Sequence, residues 1–196
     1  LLPEDRIFIC AGESHRRAIL RGLPGFPNEQ IIGEPVGRDT LNAVALGTHV
    51  IGARAAGGAD AVVAVFTADH VIEPVDRFQQ VVERGYRVAE GPEATLVTFG
   101  IEPTHAATGY GYLELGGPLP GDAGAFRVQR FKEKPDAAMA ESYVAAGPQR
   151  YLWNSGMFVW RHRTLMEAVQ KYHPANYAGI AKIVANWDGR RRKSTL

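Results

Sequence analysis

The chain has 196 residues, with 22 basic and 21 acidic side chains, one cysteine and 45% apolar residues. Its length predicts one domain, burying roughly 70% of the unfolded surface, and a formal charge of +1 excludes the broad basic field with which nucleic-acid binders neutralise phosphates. The single Cys10 excludes a disulfide framework and favours a reducing compartment, and no apolar run approaches the roughly 20 residues of a membrane helix.

The chain opens on Glu4, Asp5 and Arg6 ahead of a short apolar run, unlike a secretory signal, so the expectation is a cytoplasmic α/β protein. Residues 6–10 are β-prone, residues 13–20 helix-like, and Ile31-Ile32 forms a second short strand ending at Gly33-Glu34-Pro35. Ala43, Leu46, Gly47 and Val50 recur at helical spacing and predict a helix over 39–56. Residues 61–66 are apolar without alternation, which suits a strand buried on both faces in a parallel sheet. Val75, Phe78, Val82 and Ala89 form one stripe of a helix over 75–89. This alternation of strand and helix is the mark of a doubly wound α/β unit. After Gly100 come strands at 109–115, 126–134 and 151–160 with one helix at 136–146, and Gly116-Gly117-Pro118 and Gly121-Asp122 mark a loop. The second half therefore adds antiparallel or mixed pairing to a parallel core. The run Arg190-Arg191-Arg192-Lys193 reads as a solvated segment and not a nucleic-acid arm.

Several chemistries lack their motif. GxxxxGK[ST] does not occur, Glu114 stands at the third glycine position after Gly109-Tyr110-Gly111, and Trp153 stands where a GxSxG elbow needs glycine. The six histidines form no HExxH or other close ligand pair.

Four constellations remain. Phe66-Thr67-Ala68-Asp69-His70 closes the apolar run, and ligands of open α/β sheets bind outside the carboxyl ends of strands. Asp69 is there either a Mg²⁺ ligand, one carboxylate beside substrate phosphates, or the cap of a turn with His70 satisfied in the loop. Glu34-Pro35-Val36-Gly37-Arg38-Asp39-Thr40 leads into a helix. Asp39 or Thr40 suits the N-cap, a carboxylate at Glu34 or Asp39 suits the paired N–H donors of guanine's Watson–Crick edge, and Arg38 suits phosphate or plain exposure. In Lys132-Glu133-Lys134-Pro135 a period of two sends both lysines to one face and Glu133 to the other, unless Pro135 breaks the strand locally. That pattern serves either a solvated edge or contacts to phosphate and sugar hydroxyls. In Trp153-Asn154-Ser155-Gly156-Met157-Phe158, Asn154 and Gly156 share a face; Gly156 permits close approach and Asn154 offers donor and acceptor. Trp153, Phe158 and Trp160 read as core, while Tyr110 and Tyr112 with their glycines shape a tight turn or a contact loop.

Taken in order, these strings, with Thr98-Phe-Gly-Ile-Glu-Pro-Thr104 and Thr108-Gly-Tyr-Gly-Tyr112, resemble the bacterial mannose-1-phosphate guanylyltransferases from about Arg6 to Arg161. The resemblance implies an α/β Rossmann-like nucleotide-diphospho-sugar transferase fold, with a mixed, mostly parallel sheet flanked by helices. It implies transfer of GMP from GTP to mannose 1-phosphate, with Mg²⁺ as cofactor. By motif position, Asp69 resembles the metal ligand, Tyr110 and Gly111 the sugar-contacting loop, Glu133 the residue on sugar hydroxyls, and Lys134 the residue on the sugar phosphate. Asn154 and Gly156 resemble the sugar-site pair, and Glu34, Arg38, Asp39 and Thr40 the base-side loop. That loop departs from the family's Arg-Asn-Thr-Ala-Pro-Ala by reading Arg38-Asp39-Thr40-Leu41-Asn42-Ala43. Residues 1–196 are then expected to be one nucleotidyltransferase domain, whose opening strand and glycine-rich loop would precede Leu1 and whose second metal aspartate would lie beyond Leu196. The expected partners are GTP and mannose 1-phosphate, without nucleic acid or membrane; a homodimer is left open. The rivals are a nucleotidyltransferase of another base or sugar, and a non-catalytic sugar-nucleotide-binding module.

Overall fold

The computed structural model describes residues 2–34, 36–37, 39–55 and 59–187. The chain forms two compact units: one from Leu1–Val65, Val71–Leu96 and Val159–Leu196, the other from Phe66–His70 and Val97–Phe158. The basic run at 190–193 lies outside the described residues.

In the first unit β1 (Ile9–Gly12) and β2 (Ile31–Glu34) pair in parallel, with Ile9 opposite Ile31 and Gly12 opposite Glu34. Ile31 and Ile32 are almost fully buried, as the paired isoleucines predict. The β-prone run 6–10 is displaced towards the C-terminus, because Glu4–Arg6 close a 3₁₀ turn first. Helix α1 spans Arg16–Gly22, and α2 spans Thr40–Arg54, starting where the helical spacing and the cap residue place it. Two helices that sequence reading did not anticipate, α5 (His162–Tyr172) and α6 (Pro174–Ala185), pack on α2. They bury Leu165, Met166, Val169 and Ile180 with Ala45, Leu46 and Val50. The Trp160 indole N–H donates to the Thr48 hydroxyl (3.1 Å), which answers the polar atom of a buried ring.

The run 61–66 is corrected by the structure. Strand β3 is only Val62–Val65, with Val63 buried, its other three residues half-buried and Phe66 exposed. Helix α3 (Val75–Ala89) has the expected bounds, yet only Val82, Gly85 and Ala89 along it are buried and Val75 is exposed.

The second unit holds most of β4 (Leu96–Ile101), all of β5 (Tyr112–Leu119), β6 (Asp122–Lys132) and α4 (Ala137–Ala146), and the first eight residues of β7 (Tyr151–Arg161). Strand β5 pairs antiparallel with both β6 and β7, and β4 pairs with β7, so antiparallel pairing, one of the two arrangements expected of this half, is present. The loop expected at Gly116-Gly117-Pro118 is instead strand: register shifts around Leu115 and Pro118 take up the extra residues as bulges, which bend a strand without ending it. Tyr112, Ala140, Tyr143, Tyr151 and Trp153 form the core, with the Tyr143 and Tyr151 rings stacked at 4.3 Å. The Tyr112 hydroxyl donates to the Ala107 carbonyl (2.9 Å). Along β7 burial alternates: Tyr151, Trp153, Ser155 and Met157 face inward, while Leu152, Asn154, Gly156 and Phe158 are partly open.

Among the described residues no helix is long and apolar enough to cross a membrane.

Candidate active site

Most of the residues singled out from the sequence sit in the second unit, linked by short contacts. Asn154 and Gly156 share the open face of β7. The Asn154 backbone N–H donates to the Gly111 carbonyl (2.8 Å), tying β7 to the Tyr110-Gly111 loop. Gly111 lies close under two side-chain ends: a Cβ there would be 2.6 Å from the Phe131 ring and 3.1 Å from the Glu133 carboxylate. Tyr110 is half exposed and sets its ring edge against Trp153, 5.1 Å between centroids. Trp153 and Trp160 are core residues, not a stacking platform.

The expected opposition of Lys134 and Glu133 across a strand does not occur. Strand β6 ends at Lys132, so the period of two stops there, and Lys134 adopts φ +38°. That conformation is rare outside glycine, and Pro135 disfavours the right-handed helical alternative for the residue before it. The turn brings the Lys134 ammonium to 3.4 Å from the Glu133 carboxylate, both side chains more than half exposed. An exposed pair contributes about 0–1 kcal/mol, so either partner is readily drawn to an incoming phosphate or hydroxyl.

Gly156 has φ +72°, and a Cβ on it would meet the Thr67 methyl at 3.7 Å. The Phe66–His70 segment therefore lies beside β7. Its Ala68-Asp69 turn leaves the Asp69 side chain 83% exposed, 3.9 Å from His70, while the other His70 ring nitrogen bonds to the Thr67 hydroxyl (3.0 Å). His70 is thus the satisfied loop residue the sequence allowed, and Asp69 is an open carboxylate. Among the described residues no group of three or more His, Cys, Asp or Glu side chains is arranged to hold a metal ion.

Glu34, Asp39 and Thr40 belong to the first unit, and Arg38 lies outside the described residues. Asp39 is the N-cap of α2: its Oδ1 accepts from the Asn42 N–H (2.9 Å) and its Oδ2 from the Asn42 side chain (3.2 Å). Asn42 in turn accepts from the Asn176 side chain on α6 (2.7 Å). Two of the three departures in this loop, at 39 and 42, are therefore bonded to each other. The Glu34 carboxylate makes no hydrogen bond or ion pair among the described residues. Partial burial, then the Asp39 charge, push its carboxyl above the usual range.

Sequence reading missed two pairs. Thr98 on β4 donates to Asn154; its signal was the β-prone run Leu96-Val-Thr-Phe, hidden by the punctuation of Gly100 and Pro103. His49 and His162 stack nearly parallel in the first unit, their nitrogens 3.0 Å apart; at a separation of 113 residues nothing local announces them.

The nucleotidyl transferase family matches residues 7–191. The chain belongs to that family. As a nucleotidyl transferase it is 39% identical over 186 residues to the xanthan biosynthesis protein XanB of Xanthomonas campestris pv. campestris (strain B100), covering 94% of this chain and 37% of that protein. It is 40% identical over 175 residues to the mannose-1-phosphate guanylyltransferase of Escherichia coli (strain K12), covering 87% and 35%. The chain thus spans a little over a third of the length of these curated relatives. Among solved structures it is similar to a Thermus thermophilus protein described as a mannose-1-phosphate geranyltransferase, with TM-score 0.76 and 28% identity, covering 94% of this chain and 50% of the other. A Helicobacter pylori structure described as a mannose-6-phosphate isomerase shares the fold at TM-score 0.72 and 23% identity, covering 90% of this chain and 64% of the other. The Rossmann-like α/β class expected from the motif order is the class observed.

Proposed function

We propose that this chain is the nucleotidyl-transferring part of a mannose-1-phosphate guanylyltransferase, moving GMP from GTP to mannose 1-phosphate with release of pyrophosphate. The observation that carries the reading is the linked set in the second unit: Asn154 bonded to Gly111, Gly111 against Glu133, Glu133 beside Lys134, and Gly156 beside the Asp69 segment. These are the positions that the motif strings share with the guanylyltransferases, and relatives of that name are 38–40% identical to the chain.

In this reading an oxygen of the sugar phosphate attacks the α-phosphorus of GTP in line. The new P–O bond forms as the bond to the β,γ-pyrophosphate breaks, and that group leaves with the electron pair. No protein base is needed, because a phosphate monoester with a second pKa of about 6 is already mostly dianionic at pH 7. The protein's task is alignment and charge neutralisation. Lys134 meets the sugar phosphate as a point charge, Glu133 and Asn154 hold sugar hydroxyls, and the close backbone at Gly111 and Gly156 lets the ring sit down on the strands. Glu34, without a partner among the described residues, accepts from the guanine edge, and Asp39 with Thr40 shapes the entry to α2. A single open carboxylate fits a Mg²⁺ that arrives on the triphosphate, since that ion commonly takes one or two carboxylates and completes its shell with phosphates and water. Asp69 would hold it, and it would neutralise the nucleotide's charge there. A cytoplasmic location is part of the proposal, supported by the lone cysteine.

The test uses the full-length protein that carries this chain. Pyrophosphate release is expected from GTP with mannose 1-phosphate and Mg²⁺, and equal turnover with UTP or dTTP would overturn the guanine assignment. Asp69→Asn is expected to lower kcat by about 10²-fold, the scale of losing one preorganised electrostatic partner. Full activity in that variant would remove Asp69 from the metal role. Binding of GDP-mannose without turnover would point to a non-catalytic module.

A further inference from the structure

Within the second unit the Asn154 side chain is already committed at one end. Its Oδ1 lies 2.7 Å from the Thr98 hydroxyl, which also has the Met157 carbonyl at 3.2 Å. A hydroxyl has one proton to give. The shorter contact is the usual length for O–H···O, whereas an amide N–H in that place would sit nearer about 2.9–3.0 Å. The proton therefore goes to Asn154 Oδ1, and the Nδ2 hydrogens point away from Thr98. No partner for Nδ2 occurs among the described residues.

The backbone around this contact is held tightly. The Asn154 N–H is bonded to Gly111. Gly100, two residues beyond Thr98 and so on the same face of β4, lies so close to Leu152 that a Cβ would run into its side chain. Thr98 against Asn154 and Gly100 against Leu152 are thus neighbouring contacts between the same two strands.

We infer that Thr98 is a positioning residue that locks the Asn154 amide with its acceptor inward, so that the sugar-phosphate site offers only N–H donors at this point. The ligand atom met there is an accepting oxygen, a hydroxyl lone pair or a phosphate oxygen, while Glu133 supplies the complementary acceptor. The inference rests on the sugar-phosphate reading proposed above.

The experiment is steady-state kinetics of the full-length protein with three variants. Thr98→Val keeps the shape and removes the hydroxyl. It is expected to raise KM for mannose 1-phosphate about fivefold, the worth of one typical hydrogen bond, with kcat, KM for GTP and Tm near the parent values. Thr98→Ser restores the parent KM. Asn154→Asp replaces the outward donor by an acceptor and is expected to cost more than about tenfold in kcat/KM. An unchanged KM in Thr98→Val, an equal loss for GTP, or a fully active Asn154→Asp overturns the inference. If the parent protein shows no turnover with these substrates, the functional reading fails on its own. The orientation is then decided in the ligand-free protein by hydrogen exchange of the Asn154 side-chain amide, identified by its loss in Asn154→Asp. Two freely exchanging hydrogens support the inward acceptor, and one protected hydrogen refutes it.

Discussion

Asp39 is occupied before any ligand arrives. Both of its oxygens accept from Asn42, so its first effect is on the start of α2. Asp39→Ala is expected to lower stability by about 1 kcal/mol, typical of a lost N-cap, as read by urea denaturation. Glu34 has the opposite character, a half-buried carboxylate with no partner among the described residues and a raised pKa. A raised acid binds more protons in the fold than in the unfolded chain, so its ionisation costs stability as pH rises from the ordinary glutamate range. Glu34→Gln is therefore expected to leave stability at pH 7 unchanged or slightly higher while lowering kcat/KM for GTP by about tenfold or more. A variant with parent kinetics would remove Glu34 from base recognition. Gly156→Ala, at φ +72°, should cost about 1–2 kcal/mol, the ordinary penalty for a Cβ in the left-handed region.

Among the elements, β7 was the most legible, because alternation of burial along residues 151–159 follows from a pleat whose faces meet different surroundings. Helices α2 and α3 were legible by period. Strand β4 was not, because Gly100 and Pro103 imitate the end of an element, and the glycines of β5 imitate a loop until hairpin pairing absorbs them as bulges. The pairing of α2 with α5 sets a pH response that no local pattern shows. Burial lowers the pKa of both His49 and His162; at His49 the facing His162 lowers it further, while at His162 Asp60 opposes the shift and Arg163 reinforces it. Glu167 lines the same cavity. A lowered histidine pKa means that the unfolded chain takes up more protons, so this stability is complete above about pH 6.5 and is lost as pH falls through that range. The Tm is expected to drop between about pH 7 and 5, and His49→Gln should flatten the slope. An equal slope in the variant would show that the pair is not its source.

For the molecule as a whole, near-neutral charge is compatible with a triphosphate substrate only if a few placed cations meet it. The described residues hold no cluster arranged to bind a metal unaided, and Asp69 is the one carboxylate of its turn. Calorimetric titration of MgCl₂ is expected to show no site in the protein alone and a site once GTP is present. Tight binding without nucleotide would refute the reading that the ion arrives on the triphosphate. Of the candidate site, the residue types and their order were legible along the chain, and with them the family and the fold class. Such features are local: a strand shows a period of two and a helix one of about 3.6 whatever lies across from them. Only the tertiary structure decided that Lys134 turns back on Glu133 and that Asn154 is held by Thr98 at a separation of 56 residues. Each is a choice of hydrogen-bond or charge partner, and a partner is selected by which strands and turns come together, on which periodicity is silent.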